Sequence, residues 1–117
     1  MSDVTTTSSG ALQLAIVTPM GKAFEGPVTQ VIAPGVIGSF GVMRGHAAFL
    51  SALELGIVRV LLPSEERQFV VDQGFFEVRN NQATVLANWA EPATDPANAA
   101  ELLKTRRAQS QPKPAAH

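Results

Sequence analysis

Cysteine is absent from the 117 residues. Disulfide scaffolds, cysteine ligand sets and thiol nucleophiles are therefore excluded. Histidine is scarce: of two, one is the last residue, His117, so a histidine-rich metal site cannot be assembled. Charged residues make up 16%, below the usual quarter or so. The formal net charge is −1, with no basic excess, which argues against a nucleic-acid partner held through its backbone. No apolar run reaches the roughly 18 residues that span a bilayer. Met1 to Ala11 is rich in Ser and Thr and has no Lys or Arg, unlike a secretory signal or a transit peptide. The expectation is a disordered polar tail over residues 1–11 of a cytoplasmic protein.

What is present suits one small domain: 45% of residues are hydrophobic. All nine glycines fall between Gly10 and Gly74, while Pro92, Pro96, Pro112 and Pro114 crowd the end. Between these regions, short apolar runs alternate with Gly and Pro. The stretches 12–17, 22–25, 28–33, 39–43, 47–53, 57–62, 68–72, 75–79 and 83–88 read as strands. In the third, Val28, Gln30 and Ile32 are expected on one face, and Thr29, Val31 and Ala33 on the other. Asn80-Asn81 is a two-residue hairpin signal, because Asn tolerates positive φ. This spacing predicts an all-β sandwich or barrel over residues 12–91. After Pro92 the period changes. Asp95 and Pro96 mark a helix start, and Ala99, Leu102, Leu103 and Arg106 fall at helical spacing on one face. A helix over about 96–107 is predicted, followed by a flexible Pro-containing tail.

The densest feature runs from Gly35 to His46, with Gly35, Gly38, Gly41 and Gly45 in eleven residues. It lacks a Gly-Lys-Ser/Thr ending and a following helix, so it is not a phosphate loop. Tight turns with Val36, Ile37 and Phe40 at their tips are expected, and exposed apolar tips mark a protein contact. His46 could nominally act with Ser51, Asp72 or Glu54 as a hydrolytic site, but nothing in the spacing selects a partner. Glu65 and Glu66 read as a solvated turn. Trp89, the single tryptophan, reads either as a cap on the core or as an interface anchor.

Four pieces in order resemble one family. They are Thr18-Pro19 with Phe24, Gly26, Val28, Val31 and Pro34-Gly35; then Gly38 to Val42 with Gly45-His46-Ala47 and Leu50 to Leu53; then Gly56 to Val60; then Gly74-Phe75, Glu77-Val78, Thr84 to Ala87 and Ala90-Glu91. The chain resembles the epsilon subunit of F-type ATP synthase, the equivalent of the mitochondrial delta subunit, from about Leu12 to Arg107. The resemblance implies a mainly β fold, a sandwich of about ten strands followed by a short C-terminal helical segment. It implies a rotor subunit of the central stalk with no active site and no cofactor or metal. Its partners would be the gamma subunit, the membrane c-ring and, indirectly, the catalytic alpha/beta head. Its place would be the cytoplasmic face of the bacterial inner membrane, or the matrix side in a mitochondrion, with the membrane reached only through partners.

On this resemblance the c-ring contact maps to Gly35, Val36, Ile37, Gly38, Ser39 and Phe40. The gamma contact maps to Thr18, Arg44 and His46. Relatives often carry an acidic residue where this chain has Ser39, and Pro at the positions of Arg44 and Ala48. The contact with the ring is therefore expected to be apolar, through Val36, Ile37 and Phe40. Many bacterial relatives use a C-terminal helical hairpin as an inhibitory arm, some binding ATP through an Ile/Leu-Asp-x-x-Arg-Ala motif. Here Asp95 and Ala99 remain, but Asn98 stands at the arginine position. The isolated chain is expected not to bind ATP tightly; micromolar affinity in calorimetry would overturn this. A second full helix does not fit after the predicted one, so a reduced inhibitory arm is expected. The alternative is a free β-sandwich protein-binding module, recognisable as a stable monomer in native extracts.

Overall fold

The computed structural model describes residues 11–110. The expected tails, but for Ala11 and Ala108 to Ser110, lie outside them. Among the described residues ten strands are formed: β1 (Leu12–Thr18), β2 (Gly21–Val28), β3 (Gln30–Pro34), β4 (Ser39–Met43), β5 (Phe49–Leu53), β6 (Gly56–Leu61), β7 (Glu66–Val71), β8 (Gly74–Arg79), β9 (Gln82–Ala87) and β10 (Ala90–Ala93). One helix follows, α1 (Pro96–Ser110). The strands make two five-stranded sheets, β2-β1-β9-β8-β5 (sheet one) and β10-β7-β6-β3-β4 (sheet two). Strands β1 and β9 run parallel; the other pairs are antiparallel.

The core follows from period-two alternation. Leu12, Leu14 and Ile16 of β1, Phe76 and Val78 of β8, and Val85 of β9 face inward from sheet one. Val31, Val58, Val60 and Phe69 come from sheet two, and all these side chains are buried. Each such side chain contributes about 1.5–3 kcal/mol by leaving water.

Three expectations about strands need correction. The stretch 28–33 is not one strand: Val28 ends β2 in sheet one, and Gln30 begins β3 in sheet two. The chain changes sheets at Thr29, whose N–H donates to the Leu61 carbonyl at 2.8 Å. That break lets Val28, Val31 and Ala33 all point inward, which a strict alternation forbids. Gly26-Pro27 does not close β2, and Pro92 does not end the sheets. Pro27 pairs with Gln13, and Pro92 pairs with Phe69 inside β10. Both prolines lie in edge strands, where a missing N–H breaks no ladder.

Candidate functional site

The long strands give the sandwich two working ends. At one end, here called the tip, the β3–β4 loop crosses to the other sheet. Val36 N–H donates to the Ala52 carbonyl at 3.1 Å, and Glu54 N–H to the Pro34 carbonyl at 3.0 Å. Gly38 N–H donates back to the Gly35 carbonyl at 3.1 Å. Only glycine fits at position 35, since a Cβ there would lie 2.8 Å from the Gly38 carbonyl oxygen and 3.0 Å from the Phe40 ring. The fastened loop thrusts Val36 and Ile37 outward, Ile37 to 98% exposure.

Phe40 behaves differently from the expectation of an exposed tip residue. It is half-buried against the core, its ring edge-on to Phe49 and to Phe76, each at 5.1 Å between centroids. On a strand the side chains alternate, and Phe40 takes the inner side while Ser39 stays exposed. Phe40 therefore supports the loop that Ile37 heads.

The β1–β2 turn stands at the same end. The Thr18 hydroxyl donates to the Gly21 carbonyl and accepts from Met20 N–H, both at 3.1 Å, leaving Met20 93% exposed. Between this turn and the tip loop runs a groove of about 600 Å³ lined by Val17, Thr18, Val36, Phe75 and Leu86 among others. Val17, Leu86, Phe75 and Ala52 lie opposite one another across sheet one and face outward.

Arg44 and His46 occupy the other end. Gly45 N–H donates to Asn81 Oδ1 at 2.7 Å, tying the β4–β5 connection to the β8–β9 hairpin. Asn80 and Asn81 hold φ of 51° and 61°, the turn their type suggests. Thr18 thus does not join Arg44 and His46 in one patch. They sit at opposite ends of the strands, about 20 Å apart for a strand of this length. The Nδ1 of His46 bonds the Ala47 carbonyl at 2.7 Å, and its ring packs on Phe49 at 5.6 Å. No hydrolytic constellation forms around it: the Ser51 hydroxyl donates to the Ala52 carbonyl, Asp72 pairs with Arg106, and Glu54 stands at the tip. Among the described residues, no three carboxylate or imidazole side chains gather as a metal site.

The helix lies on sheet two, against β6, β7 and β10. Val70 faces out of sheet two by register yet is fully buried, as is Ala99, because α1 covers that surface. Asp95 caps the helix, its Oδ1 accepting from Asn98 N–H at 2.7 Å. The Asn98 side chain reaches back and accepts from Thr94 N–H at 2.9 Å. The three residues of the altered ATP motif thus serve as cap (Asp95, Asn98) and as packing (Ala99). Nearby, Arg59 grips Glu66 through two bonds of 2.6 and 3.0 Å, and Gln68 adds one of 2.8 Å. The hydrogen bonds from Arg59, then from Gln68, hold the Glu66 carboxyl down at about 2.

Trp89 is not a full core residue. It is half-buried, and the guanidinium of Arg106 lies 4.4 Å above its ring centroid. The Asp72–Arg106 pair went unread in the sequence. Its one visible trace is a cation, Arg106, on the stripe of α1 that otherwise carries Ala and Leu.

The architecture defines a class, a two-sheet β-sandwich with a capped helix docked on one sheet and an apolar loop at one end. Residues 11–93 match the family described as ATP synthase, Delta/Epsilon chain, beta-sandwich domain. The ATP synthase epsilon chain of Pelotomaculum thermopropionicum is 41% identical over 97 residues, 83% of this chain and 72% of that one. The epsilon chain of Chlorobium limicola is 49% identical over 80 residues, 68% of this chain and 91% of that one. Among solved structures, a chain of the Euglena gracilis mitochondrial ATP synthase, resolved with OSCP, F1 and c-ring, shares the fold with a TM-score of 0.70. That likeness holds at 24% identity and covers 92% of this chain and 70% of that one. This chain belongs to the delta/epsilon family of ATP synthase, whose members are non-catalytic accessory subunits.

Proposed function

We propose that this chain works in the central stalk of an F-type ATP synthase, joining the gamma subunit to the membrane c-ring and rotating with both during proton-driven synthesis. The observation that carries the reading is Ile37, almost wholly exposed at the head of a loop bonded into both sheets. Val36, Phe75 and Leu86, which line the adjacent groove, are exposed as well, and an exposed apolar patch of this kind marks a protein contact. The ring contact comprises Gly35 to Ser39, with Phe40 behind it as the prop. Thr18 joins this end through the groove, while Arg44 and His46 mark the far end. A gamma subunit touching all three runs along the outer face of sheet one, where Leu50, Phe75 and Leu86 are exposed. A closely packed sandwich transmits torque between such contacts with little give, because packed interiors are poorly compressible. No described helix is long and apolar enough to cross a membrane. The site of work is the face of the membrane that bears the catalytic head, cytoplasmic in a bacterium. The helix, its cap and its packing residues being spent on docking, contributes little inhibition.

A tagged chain is expected to co-purify from its own cells with gamma and c subunits. Ile37→Asp is expected to cut recovery of c subunits at least tenfold, about 1.4 kcal/mol, while gamma recovery and the urea midpoint stay unchanged. Undiminished recovery of c subunits with the variant would remove the tip from the ring contact, and failure of the native chain to bring down either partner would sink the reading.

A further inference from the structure

The groove at the tip is apolar but for one charge. Its walls include Val17, Val36, Phe75 and Leu86, and Glu54 is the single charged residue that lines it. Val36, Phe75 and Leu86 are each more than half exposed. Glu54 is exposed too, and its carboxylate has no hydrogen bond or ion pair among the described residues. Its backbone is fixed, because its N–H donates to the Pro34 carbonyl at 3.0 Å beside the Gly35–Leu53 bridge. The other polar residues of the lining, Thr18, Gln73 and Asn88, are neutral.

An apolar segment that settles on Phe75 and Leu86 strips water from Glu54 as well. A carboxylate so stripped is costly unless a cation meets it. The groove has no cation of its own, so the guest must bring one. A phosphate or any other anion would meet a like charge here. The floor decides which neighbour fits. Phe75 and Leu86 are direct partners on β8 and β9, and Phe75 is also paired with Ala52 of β5. Leu50, two positions from Ala52 and 68% exposed, continues that surface. Ile37, which heads the tip loop, takes no part in the lining. The groove therefore belongs with the outer face of sheet one, not with the head of the loop.

We propose that the groove seats a segment of the gamma subunit in which a lysine or arginine is flanked by apolar side chains. The cation meets the Glu54 carboxylate, and the apolar side chains cover Val36, Phe75 and Leu86. This inference rests on the stalk reading and adds to it the chemistry of one contact. Burial of the apolar walls supplies affinity. The charge pair fixes the register of the guest and rejects a segment that places an acidic residue there. Val36 in the groove and Ile37 at the tip are neighbours in the chain, so one braced loop touches gamma with the first and the ring with the second.

The full chain and its variants are titrated calorimetrically into the catalytic head with its gamma subunit, freed of this subunit and of the c-ring. Glu54→Gln is expected to weaken binding about tenfold and Glu54→Lys about 100-fold or more, with native urea midpoints for both. Phe75→Ala, which removes the floor, is expected to weaken it about tenfold. Ile37→Asp binds like the native chain. Raising salt from about 0.01 M to about 1 M shortens the Debye length from about 30 Å to about 3 Å, and it weakens the native complex more than that of Glu54→Gln. The chain has no cysteine, so Glu54→Cys carries one thiol for a short photoactivated cross-linker. In the assembled synthase this probe is expected to capture a gamma segment with Lys or Arg beside the adduct. Tight native binding with Glu54→Lys unchanged would overturn the inference and leave the stalk reading standing. So would capture of a c subunit or of lipid in place of gamma. Failure of the native chain to bind the head would sink the stalk reading and this inference with it.

Discussion

Gly74→Ala is expected to lose more than about 4 kcal/mol of stability, enough to leave a small domain largely unfolded. Gly74 opens β8 at φ 153°, a conformation that L side chains rarely adopt. A Cβ there would collide with the Leu86 carbonyl oxygen and lie 2.8 Å from the Ala87 Cα. Both obstacles are backbone of β9, the middle strand of sheet one, which also pairs with β1. Relief therefore demands that β9 move, and moving it strips hydrogen bonds from two neighbours. A flexible side chain in the way could have swung aside; a central strand cannot. Urea denaturation followed by Trp89 emission checks the outcome. A native midpoint would mean that β8 and β9 are spaced differently from the geometry described. The same residue lines the groove at the tip, so structure and surface are disturbed together.

Phe76→Ala is expected to cost about 3–5 kcal/mol, the usual penalty for emptying a buried aromatic site. Phe76 is fully buried in β8, with the Phe40 ring edge-on to it. The loss has a functional side. Phe40 props the tip loop and rests on Phe76 and Phe49, so a void beneath it lets the loop settle. Phe76→Ala should therefore lower both the urea midpoint and c-subunit recovery, whereas Ile37→Asp lowers recovery alone. Phe76→Leu, which refills much of the volume, should cost clearly less. If Phe76→Ala shifted the midpoint by under about 1 kcal/mol, Phe76 would not be the keystone its burial implies.

These two residues were legible to different degrees. Phe76 alternates with Val78 in a run bounded by Gly74 and Asn80-Asn81, so its inward face follows from period-two spacing. The requirement for glycine at position 74 is not local. It arises because β9 passes close to the start of β8, and the alternation of either strand does not measure that distance. The two edge-strand prolines make a similar point. Pro27 and Pro92 read as breaks, because in a central strand a missing N–H breaks the ladder. Their tolerance depends on β2 and β10 being outermost, a matter of strand order.

At the candidate site the division is the same. The glycine spacing from 35 to 45 announced a tight, apolar loop. Ile37 is exposed as the turn reading required, whereas Phe40 went inward. Asn98, seen in sequence as a missing cation, turned out to be the second half of a helix cap. Thr18, Arg44 and His46, grouped by resemblance, lie at two ends of the sandwich.

The order of residues by itself determined most of the strands, though not the break at Thr29 or β10, together with the hairpin at Asn80-Asn81, the helix start at Asp95 and the family. The strands, hairpin and helix start rest on alternation, turn chemistry or capping, which act between residues a few positions apart; the family rests on four motifs in order along the chain. Only the tertiary structure decided where the chain changes sheets, which glycine admits no side chain, and that Asp72, Trp89 and Arg106 meet. Those outcomes depend on how two sheets and a helix pack, and packing joins residues that no local period relates.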